Sequence, residues 1–379
     1  MDLRKSSEFR PGGRRRGPQG SFLIVKTFAE KLVAWQRAFG RQDLPWQKTR
    51  DPYLRWVSEI MLQQTQVATV IPYYEAFVRD YPTASALAAA DEEEVLRHWA
   101  GLGYYSRARN LHAGAKKVAA SGGMLPRSLE GLMAIPGIGR STAGAILSSC
   151  WDEPAPILDG NAKRLLSRVF AIKRSQGESG FQKALWAAAE RETPAKDCAV
   201  YTQSLMDMGS LVCTRSRPRC EACPVKEECL ARREGDPCAY PGAAAKERKE
   251  RREERATFLA ITGRRGIWLE QRRGDAVWKG LWCFPQYDGE LQAAELKSLI
   301  DPRKGVRLET LMKVFEIKHD FTHYRLWMNV WTVQGDFEPL EGGRWFKAEE
   351  AACGALPAPV KKAVAEVLRS GRGTLKSGA

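Results

Sequence analysis

The chain lacks any apolar run near the length needed to span a bilayer. Its first residues also lack the apolar core of a secretory signal. Arg4, Lys5, Arg10, Arg14, Arg15 and Arg16 stand there instead, among Gly and Pro. Residues 1–21 are therefore expected to form a disordered basic arm. Without a signal, nine cysteines are not expected to form a disulfide framework, and the odd number points the same way. Internal repeats are absent. Acid is in short supply: 45 Asp and Glu face 60 Lys and Arg, a net charge of +15. That balance implies a polyanionic partner, nucleic acid before an anionic membrane surface. The absence of targeting fits a bacterial cytoplasm, with the protein acting at the chromosome as a monomer.

What is present suffices for two domains: 379 residues, 44% of them hydrophobic. From Ser21 to about Tyr240 the apolar spacing is helical. Phe28, Leu32, Trp35 and Phe39 share one face, and Asp51-Pro52 opens a helix through Leu54, Val57, Ile60 and Met61. Gly101-Leu102-Gly103-Tyr104-Tyr105 breaks the pattern with a turn carrying two aromatics. Residues 241–256 read as a charged linker, or as a solvated helix with paired charges, because Lys246 to Arg255 holds charges of both signs and no apolar residue. From Thr257 the pattern changes to strands at Phe258 to Ile261, Ile267 to Leu269, Trp282 to Phe284 and Tyr324 to Val333. With helices at Leu291 to Ile300 and Val360 to Leu368, residues 257–368 are expected to form an α+β domain, followed by a tail over 369–379.

Cys213, Cys220, Cys223 and Cys229 have the spacing C-x6-C-x2-C-x5-C. Four thiolates in this order can bind zinc or an iron–sulfur cluster, and spacing alone leaves both open. Arg215, Arg217 and Arg219, between the first two cysteines, could grip phosphate or merely solvate the loop. Cys150, Cys198, Cys283 and Cys353 are expected to be buried small hydrophobes.

Ile135-Pro136-Gly137-Ile138-Gly139 is a two-glycine turn ahead of a small-residue helix from Ser141 to Leu147. Such a turn presents backbone N–H groups that can hold a phosphate. It is similar to the hairpin of helix-hairpin-helix DNA-binding motifs. Two acids stand out. Glu59 is flanked by Trp56, Val57, Ile60, Met61 and Leu62, a setting that raises a carboxyl pKa and suits a general acid. Asp159 follows Pro156-Ile157-Leu158 and precedes Gly160-Asn161. It reads as a helix N-cap, as a second site acid, or as both.

Glu59-Ile60-Met61-Leu62-Gln63-Gln64-Thr65-Gln66-Val67, Gly101 to Tyr105, Pro136 to Gly144, Pro156 to Asn161 and the cysteine quartet occur in this order. Together they closely resemble the MutY-type adenine DNA glycosylases of the endonuclease III superfamily. The likeness is strong over residues 22–240. It implies an all-α helix-hairpin-helix glycosylase domain with a [4Fe–4S] module, acting on duplex DNA with adenine opposite 8-oxoguanine or guanine. Glu59 would protonate adenine N7, and Asp159 would stabilise the sugar cation. Adenine leaves poorly until protonated and C1′ becomes cationic as the bond breaks, so two carboxyls suit the task. The base must first leave the stack.

By the same resemblance, Gln63 and Tyr104 would wedge into the duplex, with Gln64 and Thr65 near the strands. Trp46, Gln47 and Gln203 would line the adenine pocket. Gly137 and Gly139 would bind phosphate, with Ser141 and Asn161 close to the DNA. Cys213, Cys220, Cys223 and Cys229 would hold the cluster. Ser141 stands where bifunctional relatives carry a nucleophilic lysine. Ser141 cannot form a Schiff base, so efficient strand cleavage is not expected.

Residues 257–368 resemble, more weakly, the Nudix-like domain with which the family reads 8-oxoguanine. The likeness rests on Gln271-Arg272-Arg273 and Gly280 to Pro285. A hydrolytic Nudix enzyme needs a glutamate-dense helix, and after Pro285 the chain offers only Glu290 and Glu295, so hydrolysis by this domain is not expected. The family's Phe-Ser-His reading loop corresponds to Phe321, Thr322 and His323, with Thr in place of Ser. The rivals are a glycosylase of the same superfamily for another base, and a non-catalytic iron–sulfur sensor of DNA damage. Gln63-Gln64-Thr65, Ser141 and the second domain argue against the first. Retention of both Glu59 and Asp159 argues against the second.

Overall fold

The computed structural model describes residues 26–174, 177–242, 252–274, 277–300, 305–321 and 324–374. The expected basic arm lies outside these residues, as do Thr322 and His323 and most of the expected linker. No helix among the described residues is long and apolar enough to cross a membrane.

The first domain is helical. α1 (Phe28–Phe39) starts on a capping box in which Thr27 and Glu30 satisfy each other's backbone N–H groups. α2 (Pro52–Leu62) starts on Asp51, whose carboxylate accepts from the N–H groups of Tyr53 and Leu54, with Pro52 at the first helical position. Next come α3 (Val67–Asp80), α4 (Ala84–Ala89), α5 (Glu92–Trp99) and α6 (Ser106–Ala120). α5 begins with three glutamates and ends with Arg97 and His98, the charge order its dipole favours. α7 (Leu129–Met133) and α8 (Arg140–Trp151) flank the two-glycine turn. α9 (Gly160–Val169), α10 (Gly177–Glu192) and α11 (Cys198–Asp207) follow, and the chain widens into a π-helical turn at Met208–Val212. The cysteine segment ends in the short α12 (Leu230–Arg233).

Besides a smaller cluster of Leu158, Leu166, Phe181, Leu185 and Ala189, two larger cores organise this domain. One gathers Trp56, Val57, Ile60, Phe77, Leu96, Trp99, Leu111 and Ile146 from α2, α3, α5, α6 and α8. The other gathers Leu32, Leu165, Tyr201, Leu205 and Met208 with Cys213 and Cys229.

The second domain is a mixed sheet with helices on both faces. Its strands are β1 (Arg252–Gly263), β2 (Gly266–Gln271), β3 (Trp282–Cys283), β4 (Gln286–Asp288), β5 (Val306–Asp320), β6 (Tyr324–Gly335) and β7 (Gly343–Phe346). The order is β3-β2-β1-β6-β5, with β4 also on β1 and β7 also on β2. β1 and β6 run parallel from Arg252↔Tyr324 to Thr262↔Gln334, and the other pairs are antiparallel. Leu259, Ile261, Trp331 and Val333 face α13 (Ala293–Leu299). Phe258, Met328 and Val330 face α14 (Ala348–Cys353), α15 (Ala358–Thr374) and the first domain, within one continuous apolar cluster.

Two boundaries and one cysteine differ from expectation. β1 begins at Arg252, inside the stretch read as linker. Its charges are cross-strand partners: Glu253 accepts from Arg325 Nη1 at 2.9 Å and Trp327 Nε1 at 3.0 Å, and Arg255 reaches Glu290 at 2.8 Å. α15 continues to Thr374, through the start of the expected tail. Cys150, Cys198 and Cys283 are buried, but Cys353 is exposed, because it ends α14 on the solvent side.

Candidate active site and cysteine cage

α2 carries Glu59 on the edge of its buried face, beside Trp56, Ile60 and Met61. The Glu59 side chain is 11% exposed. Burial is the main cause lifting its pKa above the ordinary carboxylate value, and the charge of Asp159 adds to the rise. Arg55, one turn back, opposes the rise with its Nε 3.1 Å from Oε1. Neither of those two buried atoms meets hydrogen-bond geometry, so the contact is an ion pair only.

Asp159 is the N-cap of α9. Its Oδ1 accepts from Ala162 N at 2.8 Å, and Asn161 Nδ2 donates to Oδ2 at 3.3 Å. Burial still lifts its pKa above the ordinary value, with these hydrogen bonds pulling the other way. The structure thus brings the two acids within electrostatic reach from separate helices, each better solvated as the neutral acid.

Ser141, in the first turn of α8, accepts from Leu158 N at 3.0 Å. That bond pins the extended segment that delivers Asp159. Asn161 passes the network on: Arg164 Nη2 donates to its Oδ1 at 2.8 Å and to Gly209 O at 2.6 Å, while Arg164 Nε donates to Cys213 O at 2.8 Å. Gly209 must be glycine here, since a Cβ would stand 2.3 Å from Asn161 Cβ. One arginine therefore links the neighbour of Asp159 to the first cysteine of the quartet.

The four cysteines line one small cavity, together with Leu165, Val169 and Val212. Among the described residues no three His, Cys, Asp or Glu side chains are grouped to hold a single metal ion. Arg168, 1% exposed, braces the cage. It donates to Cys213 Sγ at 3.3 Å, Thr214 O at 2.7 Å and Arg215 O at 2.8 Å, and to Tyr240 O at 3.3 Å.

The hairpin lies between α7 and α8. Gly137 has φ +82°, a conformation that costs a side-chain-bearing residue dearly. Gly139 is the N-cap of α8 and offers no side-chain acceptor to the first-turn N–H groups. Such an open helix N-terminus favours an anion.

The expected wedge residues, Gln63 and Tyr104, sit on two turns, with Gln64 beside Gln63 on the first. Gln64 at φ 57° and Tyr104 at φ 48° both hold the left-handed backbone unusual outside glycine. Gln64 is exposed, Tyr104 is 46% exposed, and Gln63 and Thr65 are half-buried.

The expected pocket residues are placed differently. Trp46 is 1% exposed and sets its ring edge against Tyr74, so it is core rather than open wall. Gln47 spends its amide on Arg41 O and Leu44 N. Gln203 donates to Asp207 Oδ1 at 2.9 Å. Asp207, fully buried, also accepts from Gln36 and from the backbone and side chain of Arg41. Sequence reasoning missed Asp207, Arg164 and Arg168, because polar residues on helices read as surface until their partners are known.

In the second domain Phe321 stacks on Tyr324, with ring centroids 4.6 Å apart, and packs against His319 and Trp278. Glu290 is engaged by Arg255 and Lys313, and Glu295 caps α13.

A family model described as an HhH-GPD superfamily base excision DNA repair protein matches residues 57–191, and a NUDIX domain model matches 256–366. The chain is 34% identical over 351 residues to an adenine DNA glycosylase of Buchnera aphidicola subsp. Baizongia pistaciae, covering 91% of this chain and 98% of the relative. It is 34% identical over 416 residues to an adenine DNA glycosylase of Rattus norvegicus, covering 93% and 80%. Among solved structures, a thermostable thymine-DNA glycosylase aligns at 27% identity with a TM-score of 0.49, over 55% of this chain and 95% of that one. Both domains match in order, and nearly the full length of the Buchnera relative is covered: the chain belongs to the adenine DNA glycosylase family.

Proposed function

We propose that this chain removes adenine mispaired with 8-oxoguanine or guanine from duplex DNA without cutting the strand. The observation that carries the reading is the pair of largely enclosed carboxyls, Glu59 on α2 and Asp159 at the N-cap of α9, brought within electrostatic reach of each other. Glu59, protonated, donates its proton to N7 of the extruded adenine. The C1′–N9 bond then breaks with its electron pair leaving on the base. Asp159 stabilises the cation that develops at C1′. Water adds to C1′ and yields its proton to the Glu59 carboxylate, leaving free adenine and an abasic sugar. Ser141 holds Leu158 N and has no amine with which to form a Schiff base, which supports a monofunctional reaction.

The cage suits a [4Fe–4S] cluster held by Cys213, Cys220, Cys223 and Cys229. All four cysteines line the same cavity, and the Arg168 N–H directed at Cys213 Sγ is the kind of bond that steadies a cluster thiolate. Bound there, the cluster would supply a rigid scaffold for the arginine-rich loop beside the DNA. Phosphate would rest on the open N-terminus of α8. The residues around Phe321, backed by Trp278 and Tyr324, would read the base opposite adenine. With Glu290 and Glu295 both engaged, the second domain is a reader rather than a hydrolase.

The test is single-turnover adenine release from duplexes carrying adenine opposite 8-oxoguanine, guanine or thymine, with and without alkali. Release opposite 8-oxoguanine, with strand breaks only after alkali, is the expected result. Tight binding with no release would establish a damage sensor instead.

A further inference from the structure

Arg107, in the first turn of α6, is 7% exposed and the mechanism above does not use it. Its partners come from two separate turns. Nη1 donates to Ile60 O at 3.0 Å, to Met61 O at 2.9 Å and to Gln63 O. These carbonyls end α2, where a helix leaves its last C=O groups without intrahelical donors and where positive charge is favoured. Nη2 donates to Thr65 Oγ1 at 3.2 Å, to Leu102 O at 3.2 Å and to Gly103 O at 3.1 Å. The guanidinium carbon also lies 5.4 Å from the Trp99 ring centroid and 5.5 Å from that of Tyr104. Trp99 Nε1 adds a bond to Gly103 O at 3.1 Å.

These two turns carry Gln64 and Tyr104, the exposed residues with strained backbone. Strain of this kind persists only where the surroundings over-determine it. A planar fork with fixed donor directions does this, whereas a single ammonium cannot face both turns at once. We propose that Arg107 is a positioning residue that locks the 60–65 and 102–104 turns into one rigid wedge, so that Gln63 and Tyr104 enter the duplex together and extrude the target adenine. This rests on the reading of those turns as the DNA wedge.

The test compares wild type, Arg107→Lys and Trp99→Phe on two substrates. One is a paired duplex with adenine opposite 8-oxoguanine. The other carries the target adenine in an unpaired bubble, where extrusion costs little. A 2-aminopurine beside the target reports unstacking. Arg107→Lys is expected to lose on the order of a hundredfold in single-turnover release from the paired duplex, together with the fluorescence rise. On the bubble it is expected to stay within a few-fold of wild type. Trp99→Phe, which removes the Nε1 bond to Gly103 O and keeps a ring beside the guanidinium, should show the same pattern more weakly, and it decides the matter if Arg107→Lys does not fold. Equal losses on both substrates, or a wild-type fluorescence rise in both variants, overturn the clamp. A wild-type protein that gives no rise on the paired duplex overturns the wedge reading itself.

Discussion

Glu59 is held where its ionised form is poorly solvated, so the burial that suits it for proton donation weakens the fold at neutral pH. Its folded pKa lies above the ordinary 4.5. Below that value the group is protonated in both states and costs nothing. As pH rises through the folded value, the unfolded chain, already ionised, is favoured. Glu59→Gln is therefore expected to raise the melting temperature at about pH 8 and to change it little at about pH 4. The same variant should lose adenine release while keeping DNA binding. In wild type, release should fall on the alkaline side as Glu59 ionises, which a single-turnover pH profile checks. Ser141→Ala should cost about 1 kcal/mol by calorimetry, because Leu158 N loses its acceptor. Both acids were legible in the sequence, Glu59 from its apolar neighbours and Asp159 from its place before a helix. The hydrogen bond of Ser141 was not, because nothing local to residue 141 reports what residue 158 needs. Arg107, in a Ser-Arg-Ala-Arg run, reads like any exposed helical arginine until two distant turns close on it.

Among the elements, the hairpin between α7 and α8 does its work through backbone. Gly137→Ala would force a Cβ at φ +82° to within 3.0 Å of Asn110 Cβ. A cost of about 1–2 kcal/mol is expected there. DNA affinity should weaken by fluorescence anisotropy, while release at saturating protein stays near wild type, since neither acid moves. Helices with strong caps were readable from residue spacing, as at Asp51-Pro52 and Thr27. β5 was not. Its burial alternates only between half-buried and exposed, and its charges at Arg307, Glu309, Lys313, Glu316 and Lys318 dilute the period-two signal. β6, whose apolar residues fill both faces of the sheet, was readable for the opposite reason.

Across the whole molecule, one acid joins the domains. Glu93 of α5 accepts from Trp282 Nε1 at 2.9 Å and from Arg344 Nη2 at 3.1 Å. Arg344 in turn lies over the Trp282 and Phe346 rings. Arg109 Nη1 adds a bond to Lys279 O at 2.9 Å. On the proposed reading of the opposite base by the second domain, these contacts are a route by which that base can alter the rate at adenine. Glu93→Ala is expected to cut the preference for 8-oxoguanine over guanine roughly tenfold, with release opposite guanine retained. A ratio of single-turnover rates on the two duplexes measures it; an unchanged ratio would remove Glu93 from that route. None of this docking was legible in sequence, because it joins side chains with no shared local pattern.

The parallel pairing of β1 with β6 sets a timetable for synthesis. β1 leaves the ribosome as the first strand of its domain, yet its longest partner begins only at Tyr324. The helices ahead of it close among themselves, as α1 does on α11, and can fold while the sheet is still incomplete. Until the chain has passed Leu356, the face of the helical domain that receives Trp282, Arg344 and Leu356 is incompletely covered. Aggregation is expected to threaten this chain most in that interval.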